Sequence, residues 1–289
     1  MAANILFCMP YYLEKCARQI NDTRWLRMRA IRIYFVFFRA YIKKLTEYKA
    51  DFFMGTLSFF INQVTSIVFI TIIFQGISKL GDWSFYEIIM LYGLSLIPKG
   101  LDHFFTDNLW AFSSSIVKEG KFDRYLLRPL SPLYHVIIET VQFDAVGEFV
   151  VGIIAFCIGI NNIDLNLHIN KVLLLIVFII MGSLIYSCIK IICASISFWK
   201  GKSGNILKVV YMMSDFNKYP ISIYNIILRN ILTYLIPFAF TAYYPAMYLL
   251  GRYTLFETLI PCIIVTSVIS LISFIIWTLG IKSYESAGH

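Results

Sequence analysis

KVLLLIVFIIMGSLIYSCIKIICASISF, residues 171–198, decides what kind of fold this chain has. Its 28 residues carry two charges, Lys171 and Lys190. A helix needs about 20 predominantly apolar residues to cross ~30 Å of hydrocarbon, so this run reads as a membrane span. Similar runs lie on both sides. The first covers Phe52–Ile77, and the second covers Phe85–Phe112 with an expected kink at Pro98. The third covers Tyr134–Ile160, and Asn161-Asn162-Ile163-Asp164 ends it. The last covers Leu255–Ile281. Residues 205–252 are apolar but broken by Pro220, Pro237, Pro245, Lys208, Asp215, Lys218 and Arg229. They read as one crossing over 205–226 and a re-entrant hairpin over 227–252, because irregular backbone at membrane depth needs protein or water to cover it. The expected fold is an all-α integral membrane protein with six transmembrane helices.

Composition agrees. Of 289 residues, 59% are hydrophobic and 15% charged, and the mean hydropathy is +0.72. Soluble domains carry about 25% charged residues. The net charge of +8 raises the possibility of nucleic-acid binding, but ten of the 25 Lys and Arg precede Asp51 and most others border apolar runs. That distribution suits an anionic lipid surface, so membrane lipid is the expected partner and nucleic acid is not. Lys and Arg are concentrated before the first span, in the 113–133 loop and in the 199–204 loop. The positive-inside rule then places both termini and both loops in the cytoplasm, which requires an even number of crossings.

Three regions follow. Residues 1–24 are an appendage without an assigned role. Residues 25–50 interleave Arg27, Arg29, Arg32, Arg39, Lys43 and Lys44 with aromatic and aliphatic residues, the pattern of an amphipathic helix lying in the inner interface. Residues 51–289 hold the six spans.

The sequence carries no visible catalytic centre. Four histidines are scattered, and no nucleophile–base–orienter set is present. Gly201-Lys202-Ser203 resembles the end of a phosphate-binding loop, but position 196 is Ile where that loop needs Gly, and a span rather than a strand precedes it. His103 with Asp102 and Asp107 is too little for a metal site. The six cysteines include no Cys-x-x-Cys pair, and four lie in apolar runs as small hydrophobes.

Charges inside the spans are expensive and face the bundle interior. Lys99, Asp102, Asp144, Glu148, Lys190 and Asp215 form this set. Asp144 and Glu148 are four apart, so they are expected on one face of the third span. Two readings apply: an ion or proton relay, or packing pairs such as Lys99 or Lys190 with Asp144 or Glu148.

One segment exceeds what topology alone asks of a basic loop. Lys118-Glu119-Gly120-Lys121-Phe122-Asp123-Arg124-Tyr125-Leu126-Leu127-Arg128-Pro129-Leu130-Ser131-Pro132 has a helix-breaking glycine, an apolar face at helical spacing and two terminating prolines. With no nucleotide site in the chain, this segment is the expected handle for a separate ATPase.

The run Gly120-x-Phe122-Asp123-x-x-Leu126-x-x-Pro129-x-x-Pro132 resembles the cytoplasmic loop of ABC-2-type transporter permeases. Tyr219-Pro220 through Pro237-Phe238 and Tyr244-Pro245-Ala246 is similar to a late pattern of the same family, and Tyr284-Glu285-Ser286-Ala287-Gly288 to its C-terminal tail. The resemblance covers about residues 28–289. It implies a six-span permease of an exporter in a bacterial-type cytoplasmic membrane, paired with an identical or related second permease and with ABC ATPase subunits. ATP and Mg would belong to those subunits, and this chain would hold no cofactor. The resemblance makes 114–133 the coupling segment. Within it, Phe122, Tyr125 and Leu126 are the expected knobs in an ATPase groove. Glu119, Lys121, Asp123, Arg124 and Arg128 would supply charge complementarity, and Lys118, Gly120, Leu127 and Pro129 complete the docking set. Two other classes are compatible with the sequence: an ion-coupled secondary carrier using Asp144 and Glu148, and a membrane scaffold that transports nothing.

Overall fold

The computed structural model describes residues 32–40, 42, 43, 47, 49–163, 165 and 168–285. The 1–24 appendage, the start of the expected interfacial helix and tail residues Ser286, Ala287 and Gly288 lie outside them. The chain divides into two compact units, Met1–Glu47 and Tyr48–His289. In the first, residues 32–40 are helical, and Tyr34 stacks on Phe38 one turn later at 6.1 Å.

The described part of the second unit is helical, with no strand. Helix α1 spans Lys49–Gly76 and α2 Phe85–Thr106; α3, Asn108–Ala111, continues as a π turn over Phe112–Ile116. Short helices α4 (Asp123–Leu126) and α5 (Pro132–Ile138) precede α6 (Ala145–Asn161) and α7 (Ile169–Ser195). Then come α8 (Ser197–Lys200), α9 (Gly204–Met212) and 3-10 turns at Met213–Lys218 and Ile221–Ile223. Helix α10 (Ile226–Asn230) runs into a π turn, Ile231–Leu235, and is followed by α11 (Ala239–Leu249) and α12 (Leu255–Ser283).

Local chemistry sets several of these ends. At the starts of α2 and α12, Ser84 and Thr254 are followed three residues later by Glu87 and Glu257. Each glutamate Oε2 accepts the N–H of its cap residue at 2.7 Å, the reciprocal half of a capping box. Gly201, at φ +70°, closes α8 in the left-handed region that a glycine enters without penalty.

Among the described residues, three helices are long and apolar enough to cross a membrane: Phe52–Gly76, Ile169–Lys200 and Leu255–Ser283. A fourth is added if Ile226–Leu235 and Ala239–Leu249, bent by 102°, count as one broken span. That bend falls inside the expected hairpin. Two other expectations are corrected. The run 134–160 is not one helix: α5 ends at Ile138, residues 139–144 leave the helix, and α6 restarts at Ala145. The expected crossing over 205–226 is not a continuous helix either, because α9 gives way to 3-10 turns at Met213.

The tightest packing is between α2 and α6. A Cβ on Gly93 would lie 2.4 Å from the Phe156 backbone N and 2.6 Å from the Gly152 carbonyl, and one on Gly159 would lie 2.6 Å from the Met90 N. Gly93 and Gly100 on α2, and Gly152 and Gly159 on α6, are each seven apart. Each pair therefore stays on one helix face and lets the two backbones touch. The main core gathers around this contact, with α7, α9 and α11 packed against it. A second, smaller core lies where the π turn after α3, α4, α8 and the end of α12 meet.

Candidate functional site

The smaller core is built by the basic segment. Gly120, at φ +67°, turns the chain after Val117 so that Phe122 points inward. The Phe122 ring meets Phe198 at 5.1 Å, Phe112 at 5.5 Å and Tyr284 at 5.0 Å, each edge to face, and stacks on Tyr125 at 5.9 Å. Trp277 closes the cluster against Phe112 and Phe198, 5.2 Å from each. Offset and edge-on aromatic pairs add ~0.5–1.5 kcal/mol each beyond the area they bury. One aromatic knot therefore joins the segment to α3, α8 and α12. It also joins two of the three sequence motifs, since Phe122-Asp123 and the tail residue Tyr284 are in contact. Burial and the neighbouring Asp123 carboxylate push the Tyr284 phenol up to about 12.

The three expected knobs divide between core and surface. Phe122 and Tyr125 are both 0% exposed. Leu126 is 43% exposed and Leu127 85%. Around the two leucines, Lys118, Glu119, Lys121, Arg124, Arg128 and Pro129 are exposed, while Gly120 and Asp123 are half-buried. Lys121 pairs with Glu119 on this surface.

Polar contacts lock α4 against α5. Arg124 Nη2 donates to Glu139 Oε1 and to the Tyr125 hydroxyl, both at 2.8 Å. The Tyr125 hydroxyl donates to Glu139 Oε2. Burial and the Glu139 carboxylate raise the Tyr125 phenol to about 12. Arg128 Nη1 lies 2.8 Å from His135 Nε2. A guanidinium only donates, so Nε2 is the unprotonated ring nitrogen. Burial, then Arg128, holds the His135 imidazole below its ordinary range. The second basic loop reaches the same end of the bundle: Ser203 N–H donates to the Ser113 carbonyl at 2.8 Å.

The charges within the spans form a separate network. Asp102 is fully buried and receives four groups. Thr106 and Ser187 donate to Oδ1 at 2.6 and 2.8 Å, Tyr211 donates to Oδ2 at 2.9 Å, and Lys190 Nζ lies 2.8 Å from Oδ2. Lys190, itself fully buried, also lies 3.6 Å from Asp107. Lys99 reaches Asp215 at 3.3 Å, and Glu148 reaches His103 Nδ1 at 2.8 Å. These are not the expected pairs, because neither Lys99 nor Lys190 meets Asp144 or Glu148. Asp144 precedes α6 as its cap residue and accepts from Gln142 Nε2 at 3.0 Å, against Gly55 of α1. Glu148 sits a turn further on and is held by His103. The shared face expected for Asp144 and Glu148 is thus divided between different partners.

Sequence reading missed the residues that complete both clusters. Phe198, Trp277 and Tyr284 sit at the ends of apolar runs, where aromatics are expected at an interface rather than in a joint core. Ser187 and Tyr211 sit in apolar stretches with nothing in their spacing to single them out.

The family model described as ABC-2 family transporter protein matches residues 60–288. No curated protein and no solved structure matches the chain.

Proposed function

Since the chain belongs to the ABC-2 transporter family, it is a membrane-embedded, multi-pass component of a transporter, and we propose that it is the permease subunit of an ATP-driven exporter, driven by ABC ATPase subunits on separate chains. One observation carries this reading: the segment 118–132 presents Leu126 and Leu127 outward on a base fastened by Phe122 to the ends of three other elements. An exposed apolar pair on a rigid, basic mount suits a partner's groove, since a buried apolar anchor ringed by charges is the ordinary composition of a protein contact. The knot behind it gives motion at the leucines a route to α8 and α12. In this reading Phe122 and Tyr125 transmit the motion, and Leu126 and Leu127 make the contact.

The topology proposed is six crossings with both termini, the 118–132 segment and the 199–204 loop in the cytoplasm. Contact between the two basic loops supports one shared side for them. A second permease chain, identical or related, would cover α1, of whose most apolar window 11% is buried. The Asp102–Lys190 and Lys99–Asp215 pairs serve packing in this reading, tying α2 to α7 and to the turn after α9. The carrier alternative drew on Asp144 and Glu148 as a pair, and those residues face different partners.

The test is affinity isolation of the tagged chain from its native membrane, followed by mass spectrometry. The reading expects an ABC ATPase in stoichiometric amount. Isolation of the chain without any ATPase, with transport persisting in ATP-free vesicles, would overturn it.

A further inference from the structure

A cavity of about 790 Å³ opens between α9, the 3-10 turns that follow it and the C-terminal part of α1. Its size falls in the ~300–1,000 Å³ range of small-molecule sites. Ile73, Val209, Met212, Met213, Phe216 and Tyr224 give it an apolar wall, and its two methionines can adapt to ligands of different shape. Among the described residues, Asp215 is the one charged residue on that wall.

The state of this carboxylate defines the ligand. Lys99 Nζ and Lys218 Nζ both approach Oδ1, at 3.3 and 3.1 Å, leaving Oδ2 outside both contacts. The lysine side chains are 13% and 16% exposed, whereas that of Asp215 is 52% exposed. The carboxylate therefore faces the cavity with its charge already matched from behind. A cationic head group would meet two ammonium groups just past the carboxylate. An anionic head would meet the carboxylate first. A hydroxyl or amide N–H can donate to Oδ2 without disturbing either lysine. We propose that this cavity binds the transported molecule, and that its class is an uncharged amphiphile with an apolar body and a hydrogen-bond-donating head.

This inference rests on the transporter reading, so the test has two separable parts. In the first, the isolated chain is placed in phosphatidylcholine nanodiscs with equal mole fractions of diazirine-labelled monoacylglycerol, alkylamine or fatty acid of one chain length. Photolabelling of residues 209–224 is then quantified by mass spectrometry. Monoacylglycerol should label about tenfold more than either charged probe, the ratio expected from one well-placed hydrogen bond to a charged acceptor. Val209→Trp, which fills the cavity from a largely exposed position, should abolish the excess. Asp215→Asn keeps an acceptor oxygen but removes the negative charge from the wall and leaves Lys99 and Lys218 with Glu148 as their remaining carboxylate, so fatty-acid labelling should rise about tenfold. Equal labelling by all three probes, or an excess that survives Val209→Trp, would overturn the site. In the second part, monoacylglycerol is added to the chain co-isolated with its ATPase. Hydrolysis should rise in the wild type and not in Val209→Trp. Selective labelling without stimulation would make the occupant a resident lipid and overturn the substrate assignment. Failure to isolate any ATPase would refute the transporter reading while leaving the labelling result to stand on its own.

Discussion

Lys190 Nζ of α7 lies 2.8 Å from Asp102 Oδ2 of α2, and neither side chain has any exposed surface. A buried pair of this kind contributes little net stability compared with apolar residues, yet it is costly to break because the survivor remains charged in a poor solvent. Three hydroxyls complete the Asp102 coordination and fix its position. The pair thus specifies the register of α2 against α7 more than it strengthens the bundle.

Removing one partner is therefore expected to cost more than removing both. Asp102→Leu should destabilise the protein by about 3–5 kcal/mol, whereas Asp102→Leu combined with Lys190→Met should recover most of that loss. Thermal unfolding in detergent checks this. Additive losses in the double variant would show that the two groups are not coupled.

The aromatic knot gives an opposed pair of outcomes. Phe122→Ala removes a fully buried ring and should destabilise by about 3 kcal/mol or more. Leu127→Ala alters a side chain that is 85% exposed, so stability should stay within about 0.5 kcal/mol. ATPase recruitment should nevertheless weaken by about tenfold, as for loss of an interface anchor. Unfolding curves and quantitative co-isolation together separate the two roles.

Acid should loosen the 123–138 segment. His135 is held neutral, with Nε2 accepting from Arg128 and with Arg124 and Glu139 also near. Its folded pKa is lowered, so the stabilisation is present above the ordinary value of about 6.5 and is lost as pH falls below it. Protonation would set a donor N–H against a guanidinium. The unfolding midpoint should drop between about pH 7 and pH 5 in the wild type, and His135→Gln should flatten that part of the profile. Identical profiles would rule out His135 as the titrating group.

Backbone contact between α2 and α6 sets the fourth expectation. Gly159→Ala would place a methyl group 2.6 Å from the Met90 backbone and force the helices apart, at a cost of about 1–3 kcal/mol. Gly76→Ala meets nothing within 4 Å and should be neutral or slightly stabilising. A thermal-shift comparison of the two decides the point.

How much of this was legible in the sequence varied with the range of the interaction. The runs that became α1, α7 and α12 were readable because length and hydropathy act locally. The caps Ser84 and Thr254 went unread, although their glutamates three residues on were a local signal for them. The break at 139–144 was missed because Glu139 caps α5 while its side chain is held by Arg124 and Tyr125, partners across a turn that hydropathy cannot see. The inward turn of Phe122 depends on Phe198 and Tyr284, far away in the chain, so helical spacing suggested a protruding face where the structure has a core. The charges were expected as one interior set; Asp102, Glu148 and Lys190 are buried, whereas Asp144 is half-buried and Asp215 exposed, and the pairing follows from how α2, α7 and α9 dock. The glycines at 93, 100, 152 and 159 did carry a signal, a seven-residue spacing on two helices, which could have placed α2 against α6.

The central claim is that an ATPase grips this chain at Leu126 and Leu127. A photoreactive amino acid placed at position 127, in the chain co-isolated from native membrane, tests it most directly. The account predicts a crosslink to an ABC ATPase that weakens when the same residue is moved to position 79, in the loop before α2. Crosslinking confined to lipid or to this chain itself at 127, with the ATPase captured from position 79, would contradict it.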